Sequence, residues 1–128
     1  MQKILVVDDE PAVRSFVGHS LRAAKFEVIE AIDGSEALSA IRASSPDLVL
    51  LDVRMPVMDG LDVLRALRKS PSTRSLPVIF LTGTILDVDE LVTALELDPS
   101  DFVTKEASSR ELVARVRWVL RRPRLGPA

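Results

Sequence analysis

Four short runs in this chain end in polar side chains of complementary kinds. Ile4-Leu5-Val6-Val7 leads into Asp8-Asp9, and Leu48-Val49-Leu50-Leu51 into Asp52. Val78-Ile79-Phe80-Leu81 leads into Thr82, and the weaker run Phe102-Val103-Thr104 into Lys105. If the runs are parallel strands of one sheet, these side chains meet at its carboxyl edge, where open α/β sheets bind ligands. Three ionised carboxylates would repel one another there unless a cation lay among them. Mg²⁺ suits such a place, since it takes one or two carboxylates and completes its shell with waters and phosphate oxygens. Thr82 and Lys105 add a hydroxyl donor and a positive charge, the groups a phosphoryl oxygen needs. Helix capping explains one aspartate. It does not explain three at two strand ends expected to be neighbours. Gly83, directly after Thr82, leaves room for a ligand to approach the backbone.

The intervening segments have the spacing of helices. Pro11 stands where a first helical turn tolerates proline, and Val13, Phe16, Val17, Leu21 and Ala24 follow on one face. Phe26 to Ala31 reads as a strand. Asp33-Gly34 is a turn signal, with Ser35 and Glu36 opening a second helix. Met55 to Gly60 is a loop, and Leu61, Val63, Leu64 and Leu67 mark a third helix. Residues 86–97 predict a weaker fourth helix, broken by Pro99. A fifth opens near Ser108-Ser109 and ends at Pro123. Strands alternating with helices predict a parallel sheet covered on both faces, an α/β doubly wound fold. With five strands and right-handed crossovers the leading order is 2-1-3-4-5.

A chain of 128 residues with 47% hydrophobic composition holds one ordinary core. Its lack of cysteine excludes disulfides and thiolate metal sites. No apolar stretch approaches the ~20 residues of a membrane span, and no signal peptide is visible, so a cytoplasmic location is expected. The net charge of −2 conceals an imbalance, because residues 110–128 carry six arginines and one acid. A solvated helix end, favoured by the helix dipole, is the simpler account of that tail. Contact of the tail with nucleic acid is the less favoured account.

The runs fall into four pieces that resemble the receiver domain of bacterial two-component response regulators. They are Ile-Leu-Val-Val-Asp-Asp-Glu (4–10), the Pro-Asp-Leu-Val-Leu-Leu-Asp-Val-Arg-Met-Pro-Val-Met-Asp-Gly segment (46–60), Leu-Pro-Val-Ile-Phe-Leu-Thr-Gly (76–83) and Asp-Phe-Val-Thr-Lys (101–105). The resemblance covers residues 3 to about 121 and implies a flavodoxin-like fold. The expected domain is residues 1–121, with 122–128 a basic tail or the start of a linker. It implies that Asp52 accepts a phosphoryl group from a phosphohistidine. Mg²⁺, or alternatively Mn²⁺, is then held by Asp9, Asp52 and the backbone carbonyl of Arg54, with Asp8 beside it. Thr82 and Lys105 grip the phosphoryl oxygens, and Phe102 is the aromatic that turns inward as Thr82 moves. The implied partners are a histidine kinase or phosphotransfer protein, and a downstream effector protein or domain, with nucleic acid a partner only if an effector domain is attached. A homodimer through the fourth helix, fifth strand and fifth helix is a further expectation. Such a domain assists its own phosphorylation and dephosphorylation and is a switch, not an enzyme.

The chain departs from the family at three places. Glu106 replaces the usual proline, so the Lys105–Glu106 bond is expected to be trans in a rearranged loop. Asp98-Pro99 replaces a small pair, which forces the fourth helix to end before Pro99. Arg54 and Thr84 occupy positions that tune acyl-phosphate lifetime, and the Arg54 side chain is expected to cover the phosphate. Among other residues, His19 reads as surface decoration and Met55 and Met58 as packing. Trp118 reads equally as a partner anchor or a ring lying over a helix edge. Rival readings are a phosphorylation-independent interaction module and a haloacid-dehalogenase-like phosphatase. The latter wants an Asp-x-Asp motif that Asp8-Asp9-Glu10 lacks. A flavodoxin-like cofactor binder is disfavoured, since three carboxylates repel a flavin phosphate.

Overall fold

The computed structural model describes residues 1–83 and 86–122. Five strands alternate with five helices: β1 (Lys3–Val7), α1 (Pro11–Ala23), β2 (Glu27–Ala31), α2 (Gly34–Ser44), β3 (Leu48–Asp52), α3 (Gly60–Lys69), β4 (Val78–Thr82), α4 (Val88–Glu96), β5 (Asp101–Thr104) and α5 (Ser109–Arg121). All pairings are parallel and the sheet order is β2-β1-β3-β4-β5. The expected doubly wound α/β fold is therefore present. Every residue of β3 is buried, as are Ile4–Val7 of β1, because helices cover both faces of the central strands.

Strand alternation sends successive side chains to opposite layers. Leu5, Val7, Val49, Leu51 and Phe80 pack with residues of α2 and α3. Ile4, Val6, Leu48, Leu50 and Ile79 pack with Val17 and Leu21 of α1 and Leu112, Val116 and Val119 of α5.

Side-chain caps start four of the helices. Asp33 accepts from the Glu36 N–H at 2.8 Å, and Ser108 from the Glu111 N–H at 3.1 Å. Asp59 and Asp87 each complete a reciprocal capping box, with Asp62 and Glu90 respectively. The Asp87 cap sets the start of α4 at Val88, two residues later than hydrophobic spacing alone predicts. α4 ends at Glu96, before Pro99 as expected, and Asp98 takes a left-handed φ of 55°. α4 buries only Ala94, which matches its weak apolar pattern. Among the described residues no helix is long and apolar enough to cross a membrane. The expected tail from Pro123 to Ala128 lies outside the described residues.

Candidate functional site

Register fixes the site. Val7 pairs with Leu51, so Asp8 and Asp52 follow side by side at the carboxyl ends of β1 and β3. Thr82 pairs with Thr104 on the next two strands, and Lys105 comes one residue later. The aspartates are buried, Asp8 fully and Asp52 with 2% exposure. Backbone donors orient them: the Glu10 N–H bonds Asp8 Oδ1 at 2.9 Å, and the Arg54 N–H bonds Asp52 Oδ1 at 3.2 Å. Arg14 of α1 donates to the Asp8 carbonyl at 2.6 Å and so braces the acidic turn.

Gly60 brings α3 against the end of β3. Its N–H bonds the Val53 carbonyl at 2.8 Å. A Cβ at Gly60 would press on the Asp52 carbonyl oxygen and come within 2.9 Å of the Val53 Cα. Glycine is needed here for close approach of two backbones.

Lys105 reaches back over the acids. Its Nζ lies 3.0 Å from Asp8 Oδ2 and 3.2 Å from Asp52 Oδ2, and it donates to Glu10 Oε1 at 2.9 Å. The two aspartate Oδ2 atoms are buried and lack a well-directed hydrogen bond, although the ammonium is at ion-pair distance. Coulomb attraction tolerates that misalignment; a hydrogen bond does not.

Burial, and then the charge of Asp8, push the Asp52 carboxyl from 3.8 up to about 6, against the pull of Lys105 and the Arg54 N–H. Burial works against the charge of Lys105 too. The hydrogen bond to Glu10 and the negative charges of Asp8 and Asp52 outweigh it, so the ammonium holds its proton more firmly than usual.

These residues fit a hard divalent cation. Asp8, Asp9 and Glu10 bring carboxylate oxygens within 4.8 Å of one another, with Asp9 and Glu10 exposed. The poorly satisfied Oδ2 atoms of Asp8 and Asp52 add acceptors of the oxygen type Mg²⁺ prefers. Asp52, Arg54, Thr82 and Lys105 line one cavity of about 260 Å³. Thr82 and Gly83 also line a neighbouring cavity of about 390 Å³, together with Leu91, Phe102 and Glu106. The half-buried Phe102 ring lies 5.6 Å from Phe80, centroid to centroid.

No described peptide bond is cis, so Lys105–Glu106 is trans as expected. The loop still delivers its lysine, because the Lys105 N–H bonds the Thr82 carbonyl and the Ala107 N–H closes a turn onto Thr104, both at 3.0 Å. The Arg54 guanidinium bonds Glu90 Oε1 of α4 at 2.6 Å, a contact the sequence reading did not foresee. Thr84 lies outside the described residues. His19 is exposed on α1, while Met55 is buried and Met58 packs against the core. Trp118 is half exposed with the Arg122 guanidinium 4.2 Å above its ring.

Sequence reasoning gave Glu10, Arg14 and Glu90 no part in the site. Glu10 was detectable as a third acid beside Asp8-Asp9. Arg14 and Glu90 act through contacts that only the tertiary fold creates.

A five-stranded doubly wound sheet with buried acids and a lysine at its carboxyl edge is the flavodoxin-like arrangement of a receiver. Residues 4–117 match the response regulator receiver domain, and the chain belongs to that family. It is 44% identical to two curated relatives, over 121 and 127 residues, and spans about half the length of each. One is the DNA-binding response regulator MtrA of Mycolicibacterium smegmatis, matched over 99% of this chain and 54% of the relative. Among solved structures, the receiver domain of a signal transduction histidine kinase from Syntrophus aciditrophicus is 32% identical. The match covers 100% of this chain and 99% of that one, with a TM-score of 0.86. The chemotaxis protein CheY4 of Vibrio cholerae is 29% identical, covering 93% and 98%, also with a TM-score of 0.86. The chain is thus a receiver domain of two-component signal transduction.

Proposed function

We propose that Asp52 is a phosphoacceptor, taking a phosphoryl group from the phosphohistidine of a histidine kinase or phosphotransfer protein. The observation that carries this is the buried Asp52 carboxylate beside Asp8 with Lys105 Nζ 3.2 Å away. A carboxyl titrating near 6 is mostly ionised at neutral pH and can act as the nucleophile. A carboxylate oxygen attacks phosphorus, the phosphorus–nitrogen bond breaks, and its electron pair leaves on the imidazole, giving an acyl phosphate. Lys105 neutralises developing charge on a phosphoryl oxygen, and the Thr82 hydroxyl donates to another. Asp9, Asp52 and the Arg54 carbonyl would hold Mg²⁺, with Asp8 supporting them. Bound there, the metal would offset the charge of the acids and of the phosphoryl oxygens.

The product is a switch. Added charge and acceptors at Asp52 favour one of two conformations. Thr82 and Phe102 carry the change toward the α4–β5–α5 face, where an effector, or a second copy of the chain, reads it. The domain is residues 1–121, working in the cytoplasm. Incubation with acetyl phosphate and Mg²⁺ tests the assignment. One hydroxylamine-labile phosphoryl group mapping to Asp52 is expected; none, or one on another residue, contradicts it.

A further inference from the structure

α4 is held mainly at its ends. Its nine residues bury one side chain, Ala94, and leave Val88, Leu91, Val92 and Leu95 exposed. Amphipathic packing, the usual source of helix stability in a fold, is weak here. Two arginines from other elements grip the ends instead. Arg68 of α3 donates to the Leu97 and Asp98 carbonyls, each at 3.1 Å. It also bonds the Arg74 and Leu76 carbonyls ahead of β4. The last turn of α4 has no basic residue, so Arg68 supplies from a neighbouring helix the positive charge a helix C-terminus favours.

At the other end Arg54 donates to Glu90 Oε1 at 2.6 Å. The same oxygen accepts the Asp87 N–H at 3.2 Å, one half of the capping box that starts α4. Arg54 is two residues past Asp52 and lines the same cavity. A phosphoryl group on Asp52 would present more negative charge and more acceptor oxygens than one carboxylate does. Guanidinium groups pair well with phosphate. The Arg54–Glu90 pair is partly exposed, with side-chain exposures of 54% and 23%, and pairs of this kind bind loosely.

We propose that Arg54 is a positioning residue that reports phosphorylation to α4. Its guanidinium holds Glu90 in the resting domain and passes to the phosphoryl oxygens when Asp52 is modified. The first turn of α4 is then released while Arg68 keeps its last turn in place. This rests on the assignment of Asp52 as the phosphoacceptor. It differs from a phosphate cover, because Arg54 has a resting partner on the helix it controls.

The test uses amide NMR spectra of the full chain with Mg²⁺, with and without beryllofluoride as the acyl-phosphate mimic. Glu90→Gln keeps an acceptor for the Asp87 N–H, so the cap survives while the charge is lost. The Val88–Leu91 amides of Glu90→Gln should already lie at least halfway toward the mimic-bound wild-type positions. Their further change on adding the mimic should fall to less than half that of the wild type, and Arg54→Gln should show the same fall. Mimic-induced changes undiminished in Glu90→Gln would mean that Glu90 only caps the helix, which overturns the coupling alone. A wild type that does not respond to the mimic at all overturns the phosphoacceptor assignment and the coupling with it.

Discussion

Replacing Asp52 by asparagine should stabilise the metal-free domain, and by an amount that depends on pH. The buried carboxyl titrates near 6 in the fold against 3.8 in an unfolded chain. The folded state therefore binds the proton more tightly. Between those values the native protein keeps a proton that the unfolded chain releases, so stability falls as pH rises. The cost is small below pH 4 and fully present above about pH 7. Each tenfold difference in proton affinity is worth about 1.4 kcal/mol, so the cost reaches about 3 kcal/mol. The asparagine side chain keeps the shape and removes the charge. In urea, with a slope near 2 kcal/mol per molar, the midpoint at pH 8 should rise by about 1.5 M in the variant. At pH 4 the difference should shrink to less than about 1 kcal/mol. Unfolding curves in EDTA at both pH values make the comparison. Equal midpoints at pH 8, or a difference as large at pH 4, would refute the electrostatic account of the site.

Other outcomes follow from particular contacts. Gly60→Ala forces a methyl group into the Asp52 carbonyl, and thermal unfolding should show a loss of about 2–3 kcal/mol. Val57 is exposed at a φ of 70°, in a turn closed by the Met58 N–H on the Pro56 carbonyl at 2.8 Å. Val57→Gly should relieve strain and stabilise the fold by roughly 1 kcal/mol in urea titrations, and a loss would contradict that reading. Arg68→Ala leaves four carbonyls without their donor. It should cost roughly 2–3 kcal/mol, and hydrogen exchange should quicken at Leu97 and Asp98 before it does in β3.

The sheet was legible because its central strands are apolar throughout and each ends in a polar residue, so strand ends and site residues carry one signal. β1 and β3 show this most clearly, since burial on both faces leaves no polar position from Ile4 to Val7 or from Leu48 to Leu51. α4 was less legible. Its apolar residues face outward, so hydrophobic spacing misplaced its start, and the Asp87 capping box set it instead. The three carboxylates of the site were readable as a group from strand order alone. The roles of Glu10 and Glu90 were not, because they join residues 95 and 36 positions apart through side chains whose paths the sequence does not fix. Glu106 predicts a trans bond and a rearranged loop after Lys105, and the Lys105 N–H bond to the Thr82 carbonyl explains why the lysine still reaches the acids.

The most direct test of the central claim is the intact mass of the chain after incubation with acetyl phosphate. The wild type with Mg²⁺ should gain the mass of one phosphoryl group, while the wild type in EDTA and Asp52→Asn with Mg²⁺ should gain none. A wild type that never gains the group, or an Asp52→Asn variant that gains it as readily, would contradict the account.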